Sequence, residues 1–404
     1  MNRLSIVRII TRLNIGGPAI HTILLTRELR ALGYSTLLAT GVCEAADGDM
    51  TYLLTPQDRV ETIAPMSRSV NPWRNLQALL ALWKLLRRER PLIVHTHTAM
   101  AGTLGRAAAI LAGVPIIIHT FHGNSLRQYF SRAASAVFLA IERILARRTD
   151  IICVISQQQL HELSTEMGVA PLRKFRVIPL GLDLDAFLKL PPAAAAGVNQ
   201  AVTRVAWFGR LVDVKNIGLL LDVARALRGS PHRFEFHVAG DGPDRVLIEA
   251  ALPELAGSLV WHGWQRDITP TLVNCDLVIQ TSRNEGTPVA LIQAMAAGRP
   301  FVSTAVGGVV DMTVPNTESS AVTPGAVWFG NCVLVDANPE AFARALEALA
   351  DAPEKTAAMG RSAREFASSR YPKKILVSNL DFLYRELLAA KGLASAGSAA
   401  RAPA

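Results

Sequence analysis

Short apolar runs rich in β-branched residues alternate with amphipathic segments along most of the chain. The runs are SIVRII (5–10), STLLAT (35–40), LIVHTH (92–97), PIIIHT (115–120), DIICVIS (150–156) and FRVIPL (175–180), followed by RVAWFG (204–209), RFEFHVAG (233–240), LVWHG (259–263), DLVIQTS (276–282) and PFVST (300–304). Helical patterns lie between them, for example 19–32, 73–90, 215–229 and 288–297. Strands that are apolar along their whole length must be covered on both faces, and strand–helix alternation makes the sheets parallel. The series is broken once, at PPAAAAGVNQ (191–200), which reads as a linker. With 404 residues, half of them hydrophobic, each side can bury a full core. The expected architecture is α/β, with two Rossmann-like domains facing across a cleft. The first spans 1–188, a linker 189–200, and the second 201–370. A helix at 371–390 is able to pack back on the first domain, and 391–404, small and polar, is expected to be a disordered tail.

The formal charge of +9 suits nucleic acid, an anionic membrane surface or phosphate-bearing small molecules. Aromatic residues make up only 6%, too few for base-stacking platforms, so no nucleic-acid partner is expected. Cys43, Cys153, Cys275 and Cys332 form no C-x-x-C pair. Cys153 and Cys275 fall in apolar runs and read as buried thiols, which suits a reducing cytosol. The N-terminus lacks a signal-peptide apolar region, and no uncharged run is long enough to span a bilayer.

In parallel α/β sheets, ligands sit at the carboxyl ends of strands. The first strand ends in TRLNIGGPAIHT, where Gly16 and Gly17 precede Pro18 at a helix start. Glycine admits a ligand to the backbone, and amides ahead of a helix hold phosphate. A plain strand-to-helix turn is the competing reading. The second domain opens with WFGRLVDVKNIGLLLDVA. Arg210 and Lys215 put a planar fork and a mobile ammonium on one loop, which suits a diphosphate; solvated surface charge is the alternative. VAGDGP (238–243) has Gly-x-Gly, but Arg245 stands where a dinucleotide fingerprint needs its third glycine, so it reads as a tight turn.

TSRNEGTPVALIQAMAAGRP (281–300) is more specific. Thr287 is expected to cap a helix whose first residue is Pro288, aiming amides and dipole at an anion. Glu285 lies just outside that terminus, where it can accept from sugar hydroxyls. Gln293 falls two turns in, on the face of Val289 and Ala296. Its neighbours are small and apolar, so its amide calls for a specific partner.

Taken in order, GG…HTH…HTFHG…GRL-x-x-x-K…GDGP…EGTPVALIQAMAAGRP…VGG resembles the retaining family-four glycosyltransferases of the GT-B fold, over most of the chain. The resemblance implies a nucleotide-sugar donor, UDP-linked, bound mainly by the C-terminal domain. It implies a glycan or lipid-linked acceptor bound mainly by the N-terminal domain. No divalent metal or other cofactor is implied, cations and helix dipoles replacing it at the diphosphate. Arg210 and Lys215 would then neutralise the leaving group, and Glu285 would hold hydroxyls of the transferred sugar. The backbone of Gly286, Thr287, Pro288 and Val289 would hold the distal phosphates, with Gly16 and Gly17 approaching from the other domain and Arg266 near the base. Gln293 stands where the family usually has a second Glu, for the ribose hydroxyls. Weaker nucleotide binding is expected from this departure, rather than inactivity.

His95 and His97 alternate at one strand end, while His119 and His122 flank Phe121 at another. Zinc competes for such a set, but no carboxylate or thiol accompanies it at ligand spacing, and no metal is expected. By resemblance His122, beside Gly123, lines the acceptor cleft and holds the sugar or places the acceptor. His97 and His119 are further acceptor-side candidates. Retaining transfer in this family is commonly described as a same-face displacement in which the leaving phosphate takes the acceptor's proton, so no protein nucleophile is implied.

Residues 73–90 carry Arg74, Lys84, Arg87, Arg88 and Arg90 against Glu89 among apolar residues. Residues 126–148 carry Arg127, Arg132, Arg143, Arg147 and Arg148 against Glu142. Such segments suit an anionic bilayer surface, or serve as sheet-covering helices with a solvated basic face. The expected location is cytoplasmic, with peripheral attachment to the inner face of the cytoplasmic membrane. The rivals are a nucleotide-sugar epimerase of the same fold, a nicotinamide oxidoreductase of paired Rossmann domains, and a catalytically impaired sugar-binding partner, which the Gln293 departure keeps open.

Overall fold

The computed structural model describes residues 4–43, 48–68, 71–123, 132–191, 202–316 and 324–393. The apolar runs pair into two seven-stranded sheets. The first contains β1 (Ser5–Arg12), β2 (Ser35–Gly41), β3 (Val60–Thr62), β4 (Ile93–His97), β5 (Ile116–Phe121), β6 (Ile151–Val154) and β7 (Phe175–Val177). Its order is β3-β2-β1-β4-β5-β6-β7, and its pairs are parallel. The second contains β8 (Thr203–Phe208), β9 (Phe234–Ala239), β10 (Leu259–Trp261), β11 (Leu277–Gln280), β12 (Phe301–Thr304), β13 (Ala326–Trp328) and β14 (Cys332–Val335). Its order is β10-β9-β8-β11-β12-β14-β13, parallel except for the antiparallel β13–β14 pair.

Each order reverses once, between β1 and β4 and between β8 and β11. A reversal splays the flanking loops and leaves a crevice at the strands' carboxyl ends. Helices α1 (Gly17–Ala31), α2 (Pro72–Glu89), α3 (Ala99–Ala112), α4 (Arg132–Arg148), α5 (Gln157–His161) and α6 (Asp185–Leu188) follow strands of the first series. Helices α7 (Ile217–Ala226), α8 (Arg245–Ala251), α9 (Thr269–Val273), α10 (Val289–Ala296), α11 (Pro339–Ala350) and α12 (Pro353–Arg370) belong to the second.

Three strands escape the sequence pattern. Val-Glu-Thr of β3 is short and half polar, and β13 and β14 follow a stretch without helical period. Strand β6 ends at Val154, short of the expected Ser156. Ser156 Oγ accepts from Gln159 N at 3.1 Å and starts α5, while Gln159 Oε1 takes the Ile155 amide at 3.0 Å. Local capping thus overrides the apolar run.

The last helix, α13 (Lys373–Ala390), returns to the first sheet. Leu376, Leu380, Leu383 and Tyr384 pack with Ile6, Ile93, Ile118 and Ile151 in one buried cluster. Arg8, fully buried on β1, donates to Tyr384 Oη at 3.2 Å, and that oxygen lies 2.6 Å from His95 Nδ1. Lys391, assigned by sequence to the tail, instead sits 3.0 Å from Asp150, and Leu393 N donates to Leu388 O. Positions 192–200 of the linker, position 201 and positions 394–404 of the tail lie outside the described residues. So do positions 126–131 of the second basic segment.

The domains also share core. Ile155, Leu180 and Leu182 belong to a cluster with Ala206, Val278 and Leu291, and Gln158 N donates to Asp311 Oδ2 at 2.9 Å. Arg299, 1% exposed, donates to the carbonyls of Pro191, Leu272, Cys275 and Ala297. Burial lowers its pKa to about 10. This guanidinium fastens the start of the linker to the second domain. Among the described residues no helix is long and apolar enough to cross a membrane.

Candidate active site

The two crevices face each other and enclose a cavity of about 1230 Å³ lined by both domains. They meet where side chains are absent. A Cβ on Gly286 would stand 2.2 Å from the His122 carbonyl oxygen, so only glycine lets the Glu285–Gly286 turn approach the acceptor-side loop. Gly17 likewise faces Val289 across the cleft.

The C-terminal wall is built from the end of β11 and the start of α10. Glu285 Oε1 accepts from Lys215 Nζ at 2.5 Å, Gln280 Nε2 at 2.6 Å and Ser282 Oγ at 2.6 Å. The Glu285 and Lys215 side chains are 10% and 19% exposed. One carboxylate oxygen is thus saturated by the protein, which fixes the plane of the group and leaves Oε2 available for hydroxyls. Lys215 spends one of its three N–H bonds on this pair. Its turn is held in turn by Thr281 Oγ1, which donates to Lys215 O at 3.0 Å, and by Arg283 N, which donates to Val214 O at 2.8 Å.

The Arg210 loop is braced by the GDGP segment. Gly209 N donates to Ala239 O, Leu211 N to Asp241 O, and Asp244 N to Leu211 O, at 3.2, 2.9 and 3.0 Å. The turn expected from sequence therefore supports the neighbouring strand end as well as closing its own. Arg210 lines the cavity.

Thr287 does not cap α10. The N-cap is Pro288, in extended conformation and without a side-chain bond, and the helix begins at Val289. Gly307, with φ of 50°, and Gly308 pack over the turn, and Gly308 N donates to Gly286 O at 2.8 Å. That packing draws Thr287 toward Gly308, and its Oγ1 is buried without a partner. The amides of Val289 and Ala290, in the first helical turn, keep their anion-binding character. Gln293 lines the cavity one helical face further in. Arg266 also lines it, and its guanidinium lies 4.8 Å from the Tyr52 ring centroid, reaching the first domain.

The N-terminal wall is built from imidazoles. His97 Nδ1 lies 3.0 Å from His122 Nε2. His95 stacks on His97 and is satisfied by Tyr384 and Thr120 at 2.6 and 2.7 Å. His119 Nδ1 lies 2.8 Å from Thr96 Oγ1. His122 and His119 line the cavity, whereas His95 and the acceptor-side candidate His97, both fully buried, do not. Burial lowers the pKa of all four, for His122 to about 3, so these rings are neutral hydrogen-bonding groups at ordinary pH.

Three residues at the site lie outside the sequence candidates. Gln280 and Ser282 fall within the expected strand 276–282, although polar residues ending an apolar buried run are a signal. His21, on α1, is 3% exposed and approaches His122 with 4.7 Å between ring centroids. A lone histidine on an otherwise aliphatic helix face carried no sign of the histidines 76 and 101 positions later.

Comparison with known proteins places this geometry. Residues 15–186 match the family described as Glycosyltransferase Family 4, and residues 202–352 match Glycosyl transferases group 1. The chain is 28% identical over 280 residues to the UDP-Gal:alpha-D-GlcNAc-diphosphoundecaprenol alpha-1,3-galactosyltransferase of Escherichia coli, covering 66% of this chain and 71% of that one. It is 27% identical over 316 residues to the 2-deoxystreptamine glucosyltransferase of Streptomyces kanamyceticus, covering 73% and 77%. Sucrose-phosphate synthase from Thermosynechococcus elongatus superposes with a TM-score of 0.77 over 96% of this chain and 100% of that one, at 21% identity. Anabaena HepE in complex with UDP-glucose does so with 0.74 over 95% and 99%, at 20% identity. The structural likenesses show a common GT-B fold. Since one family match falls on each Rossmann-like domain, the chain belongs to the family-4 glycosyltransferases.

Proposed function

We propose that the protein transfers a sugar from a nucleotide-sugar, UDP-linked, to a hydroxyl of a glycan or lipid-linked glycan in cell-surface polysaccharide synthesis. The anomeric configuration is retained and no divalent metal takes part. The observation that carries this reading is the Lys215–Glu285 pair at the mouth of α10, facing His122 across the cleft. A fixed carboxylate with one open oxygen suits sugar hydroxyls. Lys215, Arg210 and the first-turn amides of α10 supply positive potential where a diphosphate leaving group gains charge. The leaving phosphate takes the acceptor's proton while neutral His122 positions the sugar. Gln293 accepts from a ribose hydroxyl without charge assistance. The printed name of the E. coli relative, with UDP-Gal and a diphosphoundecaprenol-linked sugar, supports the donor and acceptor classes. The UDP-glucose complex of HepE supports the donor class. The test is a screen of nucleotide-sugars with lipid-linked acceptors in excess EDTA, read by mass spectrometry, with the product anomer read by NMR. Thermal stabilisation by NAD and not by UDP or GDP would overturn the reading in favour of an oxidoreductase.

The same chain is proposed to sit on an anionic membrane. Trp73, Leu76 and Leu80 of α2 are 66%, 44% and 46% exposed, and Lys84 and Arg87 continue that stripe at helical spacing. Arg88 does not join it, being paired with Glu61 and Glu89 at 3.1 Å each. Flotation with anionic liposomes at low salt tests the placement. Binding that is unchanged in a Trp73→Ser, Leu76→Ser, Leu80→Ser variant would remove α2 as the docking element.

A further inference from the structure

His21 has no hydrogen-bond partner on either ring nitrogen, although it is 3% exposed. His97 is fully buried, and its Nε2 is likewise unpartnered. With His122 these rings bring one nitrogen each to within 4.8 Å of one another. No pair of the three is stacked: His21 meets His97 and His122 edge-on, and His97 is tilted to His122. A buried polar atom without a partner is a standing cost to the fold. Two elements, α1 and β4, carry that cost, and they converge with His122 of the loop after β5 beside the cleft.

A single species that recovers it must accept three imidazole lone pairs at once. Sugar hydroxyls satisfy one or two nitrogens, but not three converging ones. Borderline d-block cations do so, and zinc in open sites takes three protein nitrogens at about 2.0–2.1 Å with a fourth position left over. Magnesium and calcium prefer oxygen ligands, and the converging group among the described residues contains none. In a tetrahedral site the nitrogens lie about 3.3 Å apart. The set therefore needs only a small inward rotation and loss of the His97–His122 hydrogen bond. The fourth position faces the cleft beside His122, where hydroxide or a substrate phosphate oxygen can balance charge.

We propose that His21, His97 and His122 form a zinc-class cation site, and that its occupation removes His122 from the acceptor cleft and so inhibits transfer. The inhibition rests on the role given to His122 above, whereas the binding does not. The metal is an antagonist of the reaction here, not a participant.

The test begins with the full chain stripped by chelator and titrated with Zn2+ against a chromophoric zinc chelator. One Zn2+ per chain is expected, unaffected by millimolar Mg2+. X-ray absorption of the wild type should count three imidazole nitrogens. Loss of an outer-shell partner already weakens metal sites by about 10–100-fold. His21→Ala, or His21→Asn if the first variant folds poorly, should weaken binding by at least that factor. No stoichiometric zinc, a ligand set other than three imidazoles, or wild-type affinity in a folded His21 variant would each overturn the site. Zinc that silences wild-type transfer, reversibly with EDTA, and spares the His21 variant supports the inhibition. Zinc that binds without slowing transfer overturns the inhibition and leaves the site standing. A chain inactive with every nucleotide-sugar would instead count against the proposed function, and the binding titration would still decide the site.

Discussion

On the C-terminal side of the cleft the working groups are charged and paired: Lys215 with Glu285, steadied by Gln280 and Ser282. On the N-terminal side they are neutral rings: half-buried His122 at the cavity, bonded to fully buried His97. The first wall suits a ligand that brings its own negative charge. The second, under the proposed function, orients hydroxyls without drawing protons from solvent. A transferase whose leaving group is a diphosphate and whose nucleophile is an alcohol has use for this asymmetry.

Glu285→Gln should break the charged wall most sharply. It keeps shape and Lys215 contact but loses the charge-assisted bonds, and turnover at saturating donor should fall by about 100-fold, the scale of losing one preorganised polar contact at a reacting centre. A loss under fivefold in steady-state kinetics would mean that the carboxylate has no special task. Gly286→Ala tests whether the walls must touch. The added methyl meets the His122 carbonyl, and misplacement of about 1 Å can cost about 100-fold in kcat/KM. The variant's melting temperature should stay near wild type, and equal kinetics would show that closure at this point is dispensable.

The neutral wall makes a pH prediction. His21, His95, His97, His119 and His122 are all lowered from 6.5, chiefly by burial. In the unfolded chain they regain ordinary values, so below 6.5 the unfolded state binds more protons. Stability is fully present above 6.5 and is lost as pH falls, by about 1.4 kcal/mol per pH unit for each ring concerned. Melting temperatures between pH 8 and 5 should drop on the acid side, and a flat profile would contradict neutral burial. Tyr384→Phe, which strips partners from Arg8 and His95, should cost about 1–3 kcal/mol in chemical denaturation. The smallest effect is expected of Gln293→Glu. It should lower the donor KM by about fivefold at most, near 1 kcal/mol, or leave it unchanged, with turnover intact. If Gln293→Ala abolishes turnover while Glu285→Gln is harmless, the two roles are reversed.

The sheets were legible because most strands carry apolar, β-branched runs separated by helical segments, and that pattern has few solutions. Val60–Thr62 was not, being three residues long and half polar, and neither were β13 and β14, which follow a stretch without helical period. The positions of Arg210, Lys215 and Glu285 could be read from loop chemistry and resemblance. The direct Lys215–Glu285 bond could not, since 70 residues separate its partners. Thr287 failed as a cap because the glycines at 307 and 308, distant in sequence, decide where its side chain lies. His21 was invisible for the same reason: its significance depends on β4 and β5 arriving beneath α1.

The return of α13 to the first sheet also bears on how the molecule is made. Much of the hydrophobic cover over Ile6, Ile93 and Ile118 is supplied by α13, so the N-terminal domain is completed only after the C-terminal one has been synthesised. Until residues 373–390 emerge, that face has α1 with Leu25 and Leu29 as its cover, and Arg8 lacks its tyrosine. The second domain draws one core, around Val205, Phe236 and Val302, wholly from its own residues, and its other core takes Ile155, Leu180 and Leu182 from the domain already synthesised. The nascent chain therefore has a window, about the length of one domain's synthesis, in which its amino-terminal half needs protection from aggregation.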